Sequence, residues 1–559
     1  MQPTRRRPWL AILAAPPVLL VAACSSGFAP SAEPAAWRGT SASGGAFGGI
    51  FRLGIVEPAA IDPYNAQETE GSLVTRHLFT GLVTLDPETA ELRPGVAKTW
   101  SQDGDCTEWT FNLRQGTRFS NGEEVTARSF IRGMTRAAAQ SAASDVAYHM
   151  AGIAGYAELH GTGEGAVPGT ATEFSGLSAP DPHTLVVRLS EPDCEFDRKT
   201  LQPVMSPVPE VAGDAANQHY NDLPVGNGPF KMKEPWQHDE SITLVRNDTY
   251  FGPRPFLDEV RLAILPTQGA IEAEYRGVQA GQFDYGRIPP TFLPQAKAIF
   301  ERRGGFISQA TMGINHLVPN VANPPLDSAD ARKAVSLAID RSAIAEGVFK
   351  GFQSAATSLI PPPLEAYHQP GVCDACGPPD LPRARELAAR AGLRPGTKLS
   401  LAYNTGAGHD AWVQAVGRQL EENLGLDVDL QPFPFAELLE RESAGDATGL
   451  FRAGWTADYP SAENFLFPLL SRRSLPPGDN RGRYVNDRFD DLLVRARRTP
   501  VEAERARLIK EAERIAIGED LALIPLWYRH ASRVFDASRW TGVRINFFEE
   551  PDLVRIRRK

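Results

Sequence analysis

Apolar and polar residues alternate in four short stretches of the first half of the chain: Phe51-Leu53-Ile55, Trp109-Phe111-Leu113, Leu185-Val187-Leu189 and Ile242-Leu244. Turns rich in Gly, Pro or Asp bound each of them, and a period of two predicts β-strands with one face against a core. From about residue 328 the spacing becomes helical, with Val335, Ala338 and Ile339, then Val413, Val416, Leu420 and Leu424. The second run is followed at once by the alternating strand Leu426-Val428-Leu430, so helix feeds strand as in an α/β unit. A late helix carrying Leu508, Ile509, Ala512, Ile515 and Ala516 precedes an apolar strand from Leu521 to Tyr528. No internal repeat is evident.

The N-terminus has a different pattern. Arg5-Arg6-Arg7 lead into an apolar run from Trp9 to Ala23, broken by Pro16 and Pro17 and ending Val21-Ala22-Ala23-Cys24. The run is shorter than the roughly 20 residues that span a bilayer, and its flanks are those of a secretory signal peptide, expected over residues 1–23. Small residues before a cysteine that is followed by Ser25 and Ser26 resemble a bacterial lipobox, which implies an acylated Cys24. Residues 25–46 are mostly Ser, Gly, Ala and Pro and predict a flexible tether over 24–46. Whether the general secretory or the twin-arginine route exports the chain stays open.

At 559 residues the chain exceeds one core and suggests three to four domains at about 150 residues each. With 42% hydrophobic and 23% charged residues it is neither a polytopic membrane protein nor a disordered chain. The net charge of −10, more acidic still once the three arginines leave, argues against nucleic acid as a partner. Cys106, Cys194, Cys373 and Cys376 remain beside Cys24, an even number in an exported protein, so disulfides are expected. Cys373-x-x-Cys376 has no second such pair and no nearby His pair, which favours a local bridge over a zinc site and leaves Cys106 to pair with Cys194.

Motifs for catalysis are missing. There is no GxSxG, HExxH or GxxxxGK[ST], and the ten histidines show no metal-ligand spacing, so neither an enzyme nor a metal nor a cofactor is expected. Gly161 to Ala166 matches a loose dinucleotide fingerprint, but Val167-Pro168-Gly169 follow where a helix should open, and a loop is the better reading.

Eleven segments then carry a resemblance in order along residues 47–530. They include AIDPYNAQ (60–67), LFTGLVTLDPETAELRPGVAKTW (78–100), WTFNLRQGTRFSNGEEVTARSF (109–130), VGNGPFKMKE (225–234), ARKAVSLAIDR (331–341), YNTGAGH (403–409), RAGWTADYPSAENFL (452–466) and IPLWY (524–528). The chain is similar to the family-5 extracellular solute-binding proteins of ABC importers, among them oligopeptide- and dipeptide-binding proteins. The resemblance implies an α/β, two-lobe periplasmic-binding-protein-like fold with a hinge. Lobe I would be 47–78, 179–308 and 527–559, an extra strand-rich subdomain 79–178, and lobe II 309–526. It makes Trp100, Trp109, Phe111 and Phe119 core rather than ligand-stacking residues.

The implied function is capture of oligopeptides by a monomeric, lipid-anchored, extracytoplasmic receptor that delivers them to an ABC permease and its ATPase subunits. Asp458 would meet the ligand amine, Gly454 and Thr456 around Trp455 would supply a pairing strand, and Gln67 and Thr69 the opposing one. Arg452 and His409 would meet the carboxylate at different peptide lengths. Bland roles compete: Asp458 as a turn cap, Arg452 in a structural salt bridge, His409 as a loop residue before Asp410. A cysteine that some relatives carry in the GW motif is Thr456 here. Other ligands in the family keep a sugar-binding cleft with Trp236, Trp412 and Trp455 open, and a secreted hydrolase or a peptide sensor without transport are the readings from other classes. On the lipobox reading, Cys24→Ser moves the protein from the membrane fraction to the soluble extract with unchanged ligand affinity. A variant that stays with the membrane rules that anchor out.

Overall fold

The computed structural model describes residues 46–559, apart from 67, 88, 162–168, 406–407, 446–448 and 477. The leader, Cys24, the tether and most of the Gly161–Ala166 loop thus lie outside the described residues. Among the described residues an eleven-stranded sheet runs through the molecule. From one edge its path is Asp427–Phe433, Lys398–Asn404, Leu450–Thr456, Phe306–Pro319, Ile524–Phe535, Tyr285–Arg287, Ile50–Val56, Glu259–Leu265, Ser241–Arg246 and Phe230–Met232, with Ser354–Ala355 also on Ile524–Phe535. Phe51, Leu53 and Ile55 are buried, as their alternation predicts. Ile50–Val56 runs parallel to Glu259–Leu265, as two strands joined by a long crossover must.

The helices follow their spacing. Asp410–Leu424 buries Trp412, Val413, Val416, Leu420 and Leu424 and stops at Gly425, whose φ of 71° closes the last turn without a side-chain clash. Glu502–Glu513 continues as a wider turn, Arg514–Glu519, so that Ile515 and Ala516 stay buried. The strand expected from Leu521 starts later, at Ile524, because Leu521 takes a φ of 44°, outside the extended region. It then runs on to Phe535.

A separate four-stranded sheet, in the order Ala97–Gln102, Glu108–Leu113, Thr184–Arg188 and Leu177–Asp181, covers a core holding Trp109, Phe111, Phe119, Phe130 and Val187. Trp100 is half-buried, its indole Nε1–H donating to Asp197 at 3.0 Å. This sheet takes in Thr184–Arg188, beyond residue 178, because that strand joins Glu108–Leu113 to Leu177–Asp181.

Two long antiparallel strands, Phe306–Pro319 and Ile524–Phe535, connect the halves of the large sheet. Met312, Ile314, Leu317 and Val318 of the first, with Ile524 to Tyr528 of the second, pack in the C-terminal core. Val534 and Phe535 belong to the N-terminal cores. Trp527 and Tyr528 therefore pack with the C-terminal half, although the expected boundary assigns them to the first lobe. The ladder slips where the cores change: Ala310 faces His530, but Ile314 faces Tyr528.

A second link joins the halves through Glu191–Gln202. Arg473 pairs with Glu191 at 2.5 Å and Arg497 with Asp193 at 3.5 Å, while Arg198 reaches the Pro460 carbonyl at 3.0 Å and Glu502 at 3.2 Å. Ser461 Oγ donates to buried Glu195 at 2.8 Å, and the Cys194 N–H donates to the Arg497 carbonyl. Burial alone would raise the Asp193 carboxyl, but Lys199 and Arg497 outweigh it and hold the group below its ordinary value. With one continuous sheet and this clasp, the described residues belong to a single compact unit.

Both disulfides are formed. Cys106–Cys194, with 88 residues of separation, ties the clasp to the four-stranded sheet, and Cys373–Cys376 closes a local loop. Loop-closure entropy assigns about 4.6 kcal/mol to the long loop and about 2 kcal/mol to the short one. Guanidinium unfolding of Cys106→Ser/Cys194→Ser should show the larger loss than Cys373→Ser/Cys376→Ser. Equal losses would contradict the loop-closure account.

Candidate functional site: a strand edge between opposite charges

The strand Leu450–Thr456 pairs with Phe306–Pro319 along its length, but with Lys398–Asn404 only at Leu401–Leu450 and Ala402–Phe451. From Arg452 onward its other edge carries no strand among the described residues. The Ala457 N–H donates to the Met312 carbonyl at 3.0 Å, which sets the phase of the ladder. Backbone groups of Ala453 and Trp455 point the same way as those of Ala457. Those of Gly454 and Thr456 point to the open edge, where an added extended chain can pair with them. Side chains of 452, 454 and 456 share one face. A Cβ at Gly454 would stand 3.2 Å from Arg452 Nη2 and 3.1 Å from Asn315 Oδ1, so glycine makes room for the arginine to fold back along the strand.

Asp458 stands at one end. Asn464, on the helix Glu463–Leu470, accepts the Asp458 N–H at 2.9 Å, donates to the carboxylate at 3.1 Å and accepts Trp455 Nε1–H at 3.2 Å. Gln202 Nε2 donates to the Asp458 carbonyl across the cleft. Among the described residues no cation lies within ion-pair distance of the Asp458 carboxylate. Burial raises this carboxyl above its ordinary value, Asn464 opposes the shift, and the like charge of Asp479 adds to it. A cavity of about 330 Å³ opens here, with Thr69, Arg76, Tyr148 and Gln202 opposite Thr456 and Asp458.

Positive charge gathers at the other end. Arg452 donates from Nη1 to Asn404 Oδ1 at 3.1 Å, its Nε is buried without a partner, and no carboxylate among the described residues pairs with it. Burial and the nearby Arg529 lower its pKa to about 10, against a small opposing effect of Glu442. His409 precedes the helix Asp410–Leu424. Its Nδ1 accepts Trp412 Nε1–H at 3.1 Å. An indole only donates, so neutral His409 carries its proton on Nε2. Burial and Arg452 lower its pKa to about 4, which keeps the ring neutral near pH 7. Arg529 donates from Nη1 to Thr456 Oγ1 at 2.6 Å.

The other expected residues fall out differently. Gln67 lies outside the described residues. Thr69 lines the cavity but is the first residue of the helix Thr69–Leu78, capped by Glu68, whose Oε1 accepts the Gly71 N–H at 2.9 Å. Thr69 therefore opens a helix and belongs to no pairing strand. Trp412 and Trp236 are 2% and 5% exposed in cores, and Trp455 is tied to Asn464, so they do not form a stacking cleft for a sugar. Asn464 and Arg529 were not singled out from sequence. Asn464 lies inside a quoted motif, six residues past Asp458, whereas nothing local marks Arg529.

Two halves joined by paired crossing strands, with a charged cleft where they meet, define the two-lobe binding-protein fold. Residues 91–475, well over half the chain, match the model for bacterial extracellular solute-binding proteins, family 5. The protein belongs to that family. It is 29% identical over 500 residues to the periplasmic oligopeptide-binding protein OppA of Salmonella typhimurium, covering 87% of this chain and 88% of the relative. To the oligopeptide-binding protein OppA of Bacillus subtilis it is 28% identical over 486 residues, covering 84% and 86%. The structure of clavulanic acid biosynthesis oligopeptide binding protein 2 superposes with a TM-score of 0.80 at 24% identity, covering 92% of this chain and 96% of that one.

A raised Asp458 pKa gives a signed pH dependence. An ammonium ligand needs the carboxylate, so its affinity holds above the folded pKa and falls as pH drops through it, beginning at higher pH than for an exposed aspartate. Titrating affinity for a primary ammonium ligand from pH 7 to 4 should show this decline in the wild type and lose it in Asp458→Asn. An identical decline in both proteins would assign it to another group.

Proposed function

We propose that this protein is the extracytoplasmic, lipid-anchored substrate-binding component of an ABC importer, capturing oligopeptides between two lobes as a monomer and handing them to the permease and its ATPase subunits. One observation carries the reading: among the described residues an open strand edge has an acid without a cation, Asp458, at one end and a cation without an acid, Arg452, at the other. Arg452 folds back over Gly454, four residues from Asp458, so the two charges stand about 13 Å apart at about 3.3 Å per residue. A free peptide is a zwitterion with a row of amides between its charges. Its amine would sit on Asp458, its backbone on Gly454 and Thr456, and its carboxylate at Arg452 or at the Nε2–H of His409. Backbone pairing tolerates any side chain, which suits a general peptide receptor. The names of the two curated relatives, both oligopeptide-binding proteins, support the same ligand class.

Lobe I would comprise 47–78, 179–308 and 527–559, the extra subdomain 79–178 and lobe II 309–526, adjusted so that Thr184–Arg188 joins the subdomain and Trp527 and Tyr528 join lobe II, with closure about the slipped ladder at 310–314 and 528–530. Burying the ligand between lobes supplies the differential affinity that favours the closed form.

Breaking one side of a buried ion pair costs about 3–5 kcal/mol, a hundredfold or more in affinity. Calorimetric titration of wild type and Asp458→Ala with one peptide and its N-acetylated form completes a double cycle. The mutation should cost the free-amine peptide a hundredfold and leave the acetylated one, already weak, almost unchanged. Equal weakening of both would make Asp458 a structural residue and remove the amine-recognition reading.

A further inference from the structure

We infer that Arg529 is a further carboxylate receptor, beside Arg452 and His409, that admits the shortest peptides, so that ligand length is read partly by which guanidinium the C-terminus reaches. This rests on the peptide-binding reading above and adds to it a residue, Arg529, that neither the motifs nor the resemblance marked.

Arg529 stands where the ladder between the two crossing strands slips, with Thr311, Met312 and Gly313 opposite it and no regular partner. Its stem is pinned: Thr311 Oγ1 donates to the Arg529 carbonyl at 3.3 Å, and a Cβ at Gly313 would come within 2.9 Å of Arg529 Cδ. The half-buried guanidinium is aimed at the open edge by one hydrogen bond, to Thr456 Oγ1. Among the described residues it forms no ion pair. A guanidinium has five N–H groups in a planar fork, so one such bond leaves a bidentate edge for a carboxylate. Arg497 and Arg136, by contrast, each sit on an acid, Asp193 and Asp62.

Position along the strand supplies the ruler. Thr456 is two residues from Asp458, about 7 Å, and Gly454, over which Arg452 folds, is four residues away, about 13 Å. An extended peptide spans about 3.3–3.6 Å per residue, so a dipeptide reaches about 7 Å and a tetrapeptide about 14 Å. With its amine on Asp458, a dipeptide ends beside Thr456 and Arg529. A tetrapeptide ends beside Arg452.

The experiment measures affinities of dialanine, dialanine amide, tetraalanine and tetraalanine amide for wild type, Arg529→Gln, Arg529→Lys and Asp458→Ala, with thermal midpoints to confirm folding. Arg529→Gln should weaken dialanine at least tenfold, abolish its advantage over the amide, and change tetraalanine less than threefold. Arg529→Lys, which keeps the charge and loses the fork, should fall between. Equal loss for dialanine and its amide, or for the di- and tetrapeptide, would overturn the inference, as would a wild type that binds tetraalanine but not dialanine. In those cases an effect of Asp458→Ala on tetraalanine leaves the peptide-binding reading standing. If neither free peptide binds the wild type, that reading falls and this inference with it.

Discussion

The pairing of Phe306–Pro319 with Ile524–Phe535 is the constraint on which the rest of this structure depends. These strands carry the chain between two sets of cores, and each contributes side chains to both. A strand that serves two cores has to be long and continuously hydrogen-bonded on its partner. It can bend only where the ladder is interrupted. The interruption lies at residues 310–314 and 528–530, between the last residue of one core and the first of the next. The neighbouring strand Leu450–Thr456 inherits its register from Phe306–Pro319, so the direction in which Gly454 and Thr456 present their backbone is settled by the same pairing.

Around that frame the ionisable groups divide into two kinds. In the clasp the two fully buried acids have bases: Asp193 has Lys199 and Arg497, and Glu195 has Arg198 and Arg505. Along the open edge Asp458 and Arg452 are half-buried without such partners among the described residues, and their pKa values shift toward the neutral forms. An uncompensated buried charge costs stability. Two of opposite sign stand along this strand, at Asp458 and Arg452, and a zwitterionic ligand of the kind proposed would compensate both at once.

The clasp has a different character from the open edge. Glu191–Gln202 touches the C-terminal half through ion pairs and backbone carbonyls, and the Cys106–Cys194 bridge fixes one end of that segment to the four-stranded sheet. Gln202, at its far end, donates to the carbonyl of Asp458 itself. Contact between the halves and the geometry around Asp458 are thus linked through a single short stretch of chain.

Much of this was legible in the sequence, because strand alternation and helical spacing are local records of which side of an element meets a core. Phe51-Leu53-Ile55, Val413 to Leu424 and Trp109-Phe111 all bury the faces their periods indicate, and an even set of cysteines in an exported chain pairs as expected. Asp458, Gly454 and Arg452 could be singled out because they share one motif. What the sequence could not supply is the list of charges left unpaired, since that depends on every element packed nearby. Thr69 reads as a pairing position until Glu68 caps a helix there. Arg529 reads as one arginine among many until the slipped ladder and Gly313 aim it at Thr456, and Asn464 becomes the holder of Asp458 only when its helix folds back on the strand. Hydrophobic burial is encoded residue by residue, whereas the direction of a polar group and the absence of its partner belong to the assembled tertiary structure.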